Sequence, residues 1–174
     1  MALQPSNESN FSFFHIASVY PKATKAMIEQ ARKIHPNNPY YLAVDGNKDY
    51  VNVAKENNCH LRVYPDIIGG PVPPYGFDLS RTLEFFKRFK DACEHNKTSH
   101  IIMMEDDVWI NKQVTIDTDW NHAGADTKIG NIVPDFIHDL IGKNLKSKQY
   151  GAGGGTIFNA HVFLENYNTN IEWF

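Results

Sequence analysis

The sequence predicts an α/β domain built on a mostly parallel sheet with helices on both faces. Apolar, strand-like runs alternate with helical stretches over residues 12–64, the pattern of parallel strands joined by covering helices. The run Ile101-Ile102-Met103-Met104 passes straight into Glu105-Asp106-Asp107, which marks a buried strand with charge at its C-terminal end. The 174 residues suffice for one domain with a real core and are too few for two ordinary ones.

Residues 1–11 read as a flexible lead-in and 12–174 as the domain. Ser12 to Val19 is aromatic and β-branched and predicts the first strand; Tyr20-Pro21 ends it. Ala23, Ala26, Met27, Ala31 and Ile34 recur at helical spacing, predicting a helix from Lys22 to His35 that Pro36 stops. Tyr40 to Val44 is a second strand, closed by Asp45-Gly46. A short helix follows over Asp49 to Asn57, with Asp49 as the expected N-cap, and His60 to Tyr64 is a third strand. Residues 65–77 hold four prolines and three glycines and predict a loop, a candidate lid or substrate-framing segment. A long helix runs from Asp78 or Ser80 to His95. Leu79, Leu83, Phe86, Phe89 and Cys93 form its apolar stripe, with Lys87, Arg88, Lys90 and Asp91 expected to face out.

The acidic strand spans His100 to about Val108. Residues 112–131 read as irregular or hairpin structure, Pro134 to Leu145 as a helix, and Ala160 to Glu172 as a closing helix. No internal repeat or domain-boundary linker interrupts the chain.

Composition narrows the function. Apolar residues make up 42% and charged residues 21%, the balance of a soluble globular protein. A net charge of −3 without a basic block argues against nucleic acid as a partner. No apolar run reaches bilayer-spanning length, and the polar N-terminus lacks a signal-peptide core. Cys59 and Cys93 form no C-x-x-C pair and read as reduced thiols. The N-x-S/T triplets at Asn7, Asn10 and Asn96 then read as chance matches, and a cytoplasmic location is expected.

The chemistry gathers at the C-terminal strand ends. Side chains alternate along a strand, so Glu105 and Asp107 are expected to point one way and Asp106 the other. Two carboxylates on one side of a sheet lip form an oxygen-ligand pocket for Mg²⁺ or Mn²⁺, which keep open positions for phosphate oxygens. Strand ends at that lip also bring Ala17, Val19, Tyr20 and Asp45 within reach of a ligand. Tyr20 suits stacking on a base, and Asp45 can accept from a base N–H or a ribose hydroxyl; both also suit a plain turn. Arg81 can meet a diphosphate or lie solvated. His161 follows the glycine cluster and is the histidine best placed to complete a metal shell. Gly151, Gly153, Gly154 and Gly155 fall within five residues. Such a cluster means close approach to a ligand, crowded packing against the chain, or left-handed turn positions. It matches neither a dinucleotide fingerprint nor a P-loop. No nucleophile–base arrangement stands out, so the chemistry left is metal-assisted departure of a phosphate leaving group.

The β-α-β-α-β opening, the acidic triplet after IIMM and the later GAGGGTIF stretch resemble the GT-A class of nucleotide-sugar-dependent glycosyltransferases. The resemblance covers residues 12–165, and the compact size is similar to small glycosyltransferases of large algal (chlorella) viruses, which would place the protein in the host cytoplasm. It implies a Rossmann-like GT-A domain whose D-x-D-type motif binds Mn²⁺ (or Mg²⁺) and the diphosphate of a UDP-sugar donor. By position Asp107 is similar to the direct metal ligand. Glu105 stands first, where Asp is usual, in contact with ribose or metal, and Asp106 reaches the donor sugar. Gly153, Gly154 and Gly155 line the donor site. An acceptor hydroxyl of a glycan attacks the anomeric carbon, and inversion would need a carboxylate base. Asp119, Asp126, Asp135 and Glu172 are the candidates. Members of the class often place their base and a metal-binding histidine further along, so the chain fits a catalytic domain of a larger protein.

Two other functions fit parts of the sequence. A sugar nucleotidyltransferase is also an α/β enzyme with a cation, but its usual glycine- and arginine-rich loop after the first strand is replaced here by SVYPKATK. A non-catalytic nucleotide- or glycan-binding module would bind without turnover.

Overall fold

A computed structural model of the chain describes residues 10–17, 20–46, 49–65, 79–116, 122–123 and 154–168. Strands β1 (Phe11–Ala17), β2 (Tyr40–Asp45), β3 (His60–Tyr64), β4 (His100–Met104), β5 (His122–Ala123) and β6 (Ile157–Asn159) form one sheet. The helices are α1 (Pro21–Ile34), α2 (Tyr50–Glu56), α3 (Leu79–Asn96) and α4 (Ala160–Glu165). The strand order is β3-β2-β1-β4-β6-β5. β3, β2, β1 and β4 run parallel, while β6 is antiparallel to β4 and to β5. This is the single α/β domain the sequence predicts, with a mixed, mostly parallel sheet.

Strand parity builds the two layers. Phe11, Phe13, Tyr40, Leu42, Ile102 and Met104 pack with Ile28 and Ala31 of α1 and with Tyr50, Val53 and Ala54 of α2. Phe14, Tyr41, Ala43, Ile101 and Met103 pack with Phe89, Ala92 and Cys93 of α3 and Ala160 of α4. Apolar residues on both sides of each central strand leave room for water on neither face. The chain passes from β1 outward to β2 and β3, then returns through α3 to place β4 on the other side of β1. That reversal between β1 and β4 opens a crevice at the C-terminal strand ends, where open α/β sheets bind ligands.

Several expectations change in detail. Phe11 belongs to β1 rather than to the lead-in and is buried. β4 ends at Met104, so the three acids lie in a turn, closed by the Val108 N–H donating to the Glu105 carbonyl at 3.1 Å. Asp49 takes the N-cap position of α2 with helical backbone angles and no side-chain cap bond. Arg88 does not face out: it is fully buried, and Asp91 accepts a hydrogen bond from the Tyr64 hydroxyl at 2.9 Å. An 18-residue helix under a sheet edge can bury a cation when the sheet supplies its carboxylate. The expected helix over 134–145, nearly all of the 65–77 loop and the end of the closing helix lie outside the described residues.

Candidate functional site

The acidic turn sits at the β1/β4 reversal. Its three carboxylates have different surroundings. Asp106 is turned inward, keeping the parity of Ile102 and Met104 past the end of the strand. Its Oδ1 accepts from the Thr24 hydroxyl at 2.6 Å and from His15 Nε2 at 3.0 Å. His15 is buried in β1, and its Nδ1 lies 2.8 Å from the Tyr40 hydroxyl. A carboxylate only accepts, so His15 Nε2 carries a proton; in the neutral ring Nδ1 then accepts from Tyr40. Burial raises the Tyr40 phenol well above its usual range, so that proton stays on the oxygen.

Glu105 and Asp107 flank this anchored residue. Glu105 is half-buried and Asp107 exposed. Burial raises the Glu105 carboxyl above its ordinary value, and the negative charge of Asp107 raises it further. A hydrogen bond from the Gly154 backbone opposes both effects. Among the described residues no lysine or arginine forms an ion pair with Glu105 or Asp107, and no group of three His, Cys, Asp or Glu surrounds a metal position. A pair of repelling carboxylates suits a hard divalent cation that draws its other ligands from phosphate and water.

Gly154 packs against this turn. A Cβ on Gly154 would stand 1.9 Å from Val108 Cγ2 and 3.4 Å from Glu105 Cβ. Gly154 therefore shows the crowded packing that the sequence left as one alternative. Gly155 has φ +88°, the left-handed region that disfavours a side chain. Its N–H donates to the Met103 carbonyl at 2.7 Å, and the Met103 N–H donates to Thr156 at 2.8 Å. These bonds carry the β4–β6 pairing up to the acidic turn. Gly153 lies outside the described residues.

Other predicted residues fall into two sets. Ala17 is buried at the end of β1, and Tyr20 stands 65% exposed just before α1; Val19 between them is outside the described residues. Asp45, at the end of β2, is buried and ion-paired with Arg88 of α3. Arg88 Nε also donates to Glu84 Oε1 at 3.1 Å, and its guanidinium lies 4.3 Å from the centre of the Tyr64 ring. Arg81 is half-buried in the first turn of α3. His161 is a correction. β6 runs antiparallel to β4, pairing Asn159 with His100. The following α4 thus starts at the opposite edge of the sheet, where the Ala160 N–H donates to the Ser99 carbonyl. Four residue steps of about 3.3 Å along β4 put that edge ~13 Å from the acidic turn. His161 is exposed there and cannot share a cation with Asp107. Asp119, Asp126, Asp135 and Glu172 lie outside the described residues.

His15, Thr24, Tyr40 and Arg88 form the support of the site, and none was singled out from sequence. The available signal was His15 itself: a polar ring at an inward position of an apolar strand must find a buried partner.

The fold is of the Rossmann-like glycosyltransferase type. Among solved structures, the apo form of the bifunctional glycosyltransferase WbbM superposes with a TM-score of 0.54 at 16% identity. The match covers 98% of this chain and 35% of that one, so the chain spans about a third of the length of WbbM. A cytidylyltransferase from Leptospira borgpetersenii serovar Hardjo-bovis (strain JB197) matches with a TM-score of 0.48 at 10% identity, over 92% of this chain and 65% of that one. No family model and no curated protein matches the sequence. No helix among the described residues is long and apolar enough to cross a membrane.

Proposed function

We propose that the chain is a metal-dependent glycosyltransferase domain that moves a sugar from a UDP-sugar to an acceptor hydroxyl in glycan synthesis. The observation that carries this reading is the acidic turn: two carboxylates with no lysine or arginine partner among the described residues, at the reversal point of a Rossmann-like sheet. Glu105 and Asp107 would hold Mn²⁺ or Mg²⁺. When bound, the cation neutralises charge growing on the departing diphosphate. α1 starts beside the same crevice, with no acidic residue in its first turn and no side-chain cap. Its N-terminal dipole favours a phosphate there. Tyr20 offers a ring to the base. Asp45, held by Arg88, accepts from base or ribose, and Arg81 meets the diphosphate. Gly153 and Gly155 would border the donor, with Gly154 between them packed against Val108. The narrower likeness to algal-virus enzymes, and with it the host cytoplasm, rests on the sequence alone.

The test is UDP release from a panel of UDP-sugars with Mn²⁺, with and without acceptor. Release that needs Mn²⁺ and falls at least ~100-fold in Asp107→Ala, the scale of losing one electrostatic contact to a leaving group, supports the reading. UTP consumption with pyrophosphate formation would make the chain a nucleotidyltransferase instead. Tight UDP-sugar binding without any release would make it a binding module.

A further inference from the structure

The notable feature of the acidic turn is that its middle carboxylate is spent inside the protein. Asp106 Oδ1 already holds two donors, Thr24 and His15. The Thr24 hydroxyl has one proton. At 2.6 Å it goes to Asp106 rather than to the Tyr20 carbonyl 3.1 Å away. That carbonyl takes the Thr24 backbone N–H at 3.0 Å instead. One residue thus fastens the start of α1, which carries exposed Tyr20, to the turn that carries Glu105 and Asp107. Tyr50 closes the same pocket from α2. It is fully buried, and its hydroxyl lies near the Thr24 side chain and the Tyr20 backbone without a hydrogen-bond partner among the described residues.

We infer that Thr24 and His15 are positioning residues that act through Asp106, and that Asp106 is the anchor of the acidic turn rather than a group that touches substrate or metal. The physical reason is charge. Glu105 and Asp107 repel each other, and a four-residue turn closed by one backbone bond would relax by swinging them apart. Two hydrogen bonds to an ionised carboxylate between them are of the stronger kind. They hold the turn against that repulsion, so the flanking carboxylates stay paired before any cation arrives. Tyr40 fixes the His15 ring from behind. The consequence is that the metal half and the base half of the crevice are coupled through the side chain of Thr24.

This inference rests on the function proposed above only for its ligand readout, so the experiment has two arms. The first uses no ligand. Hydrogen exchange of the Val108 amide, which closes the turn, is followed in the whole chain. Thr24→Val keeps the side-chain volume and removes the donor; it is expected to speed exchange about 10-fold, the worth of a charge-assisted hydrogen bond. Asp106→Asn is expected to do the same, and Thr24→Ser to restore wild-type exchange. Unchanged exchange in folded Thr24→Val and Asp106→Asn overturns the anchor, as does a Thr24→Ser variant that exchanges as fast as Thr24→Val. The second arm reads Mn²⁺-dependent UDP binding by isothermal titration calorimetry. Thr24→Val and Asp106→Asn are expected to weaken it by similar factors. Loss in Asp106→Asn with wild-type binding in Thr24→Val would make Asp106 a direct ligand and overturn the inference. If the wild-type chain binds no Mn²⁺–UDP, the proposed function fails, and the exchange arm alone decides the anchor.

Discussion

Two strand ends at the same sheet edge treat negative charge in opposite ways. At the end of β2, Asp45 is buried against Arg88, which also binds Glu84 and covers the Tyr64 ring. At the end of β4, Asp106 is held by a hydroxyl and an imidazole, while Glu105 and Asp107 have no lysine or arginine partner among the described residues. The first arrangement cancels charge within the protein and spends it on packing α3 against the sheet. The second keeps two negative charges together at the mouth of the crevice. A buried ion pair is costly to break, whereas an unpaired acidic couple is costly to keep. A protein gains from the second only if something positive comes to it.

The largest expected effect breaks the cancelled side. Arg88→Met removes the buried guanidinium that faces Asp45 and Glu84 and should cost about 3–5 kcal/mol in urea unfolding. Adding Asp45→Asn should recover part of that loss. Full stability in the single variant would mean that the β2 end does not depend on its ion pair.

A smaller effect tests how tightly the open side is held. Gly154→Ala drives a Cβ into Val108 and should cost about 1–3 kcal/mol, the range for overpacking. Val108→Ala in the same chain should relieve it, because the clashing methyl is gone. If the pair is additive instead, Gly154 is not pressed against the turn.

The smallest effect measures the charge left at the mouth. Burial and Asp107 raise the folded-state carboxyl of Glu105 above the ordinary glutamate value of about 4.5. Its contribution is therefore complete at pH below that value and is lost as pH rises through the raised folded value. In metal-free buffer at pH 7, Glu105→Gln should melt a few degrees above wild type, a shift of roughly 1 kcal/mol or less. The advantage should vanish below about pH 4.5. A variant less stable than wild type at pH 7 would show that the acidic couple is already compensated.

Much of the framework is legible in the chain. The β3 bounds match residue for residue, and α1 is shifted by one, because period-2 and period-3.6 patterns report which faces are dry. Parity also separates Asp106 from its neighbours even though β4 stops at Met104. Arg88 reads as surface because charge in a helix is usually solvated, and no pattern within α3 announces a carboxylate on a distant strand. His161 looks close to the site because it follows the glycines in sequence. The antiparallel return of β6 carries it to the far edge instead. Gly154 looks like a ligand wall or a crowded corner until Val108 is seen against it.

The sequence by itself determines where strands and helices form, which faces they bury, and that acid gathers after β4. Those properties depend on residues a few positions apart. Tertiary structure decides what each acid does: Asp45 cancelled by α3, Asp106 anchored by β1 and α1, Glu105 and Asp107 left facing the crevice. Those roles depend on partners that lie 43, 91 and 82 positions away in the chain, and separations of that kind leave no local pattern to read.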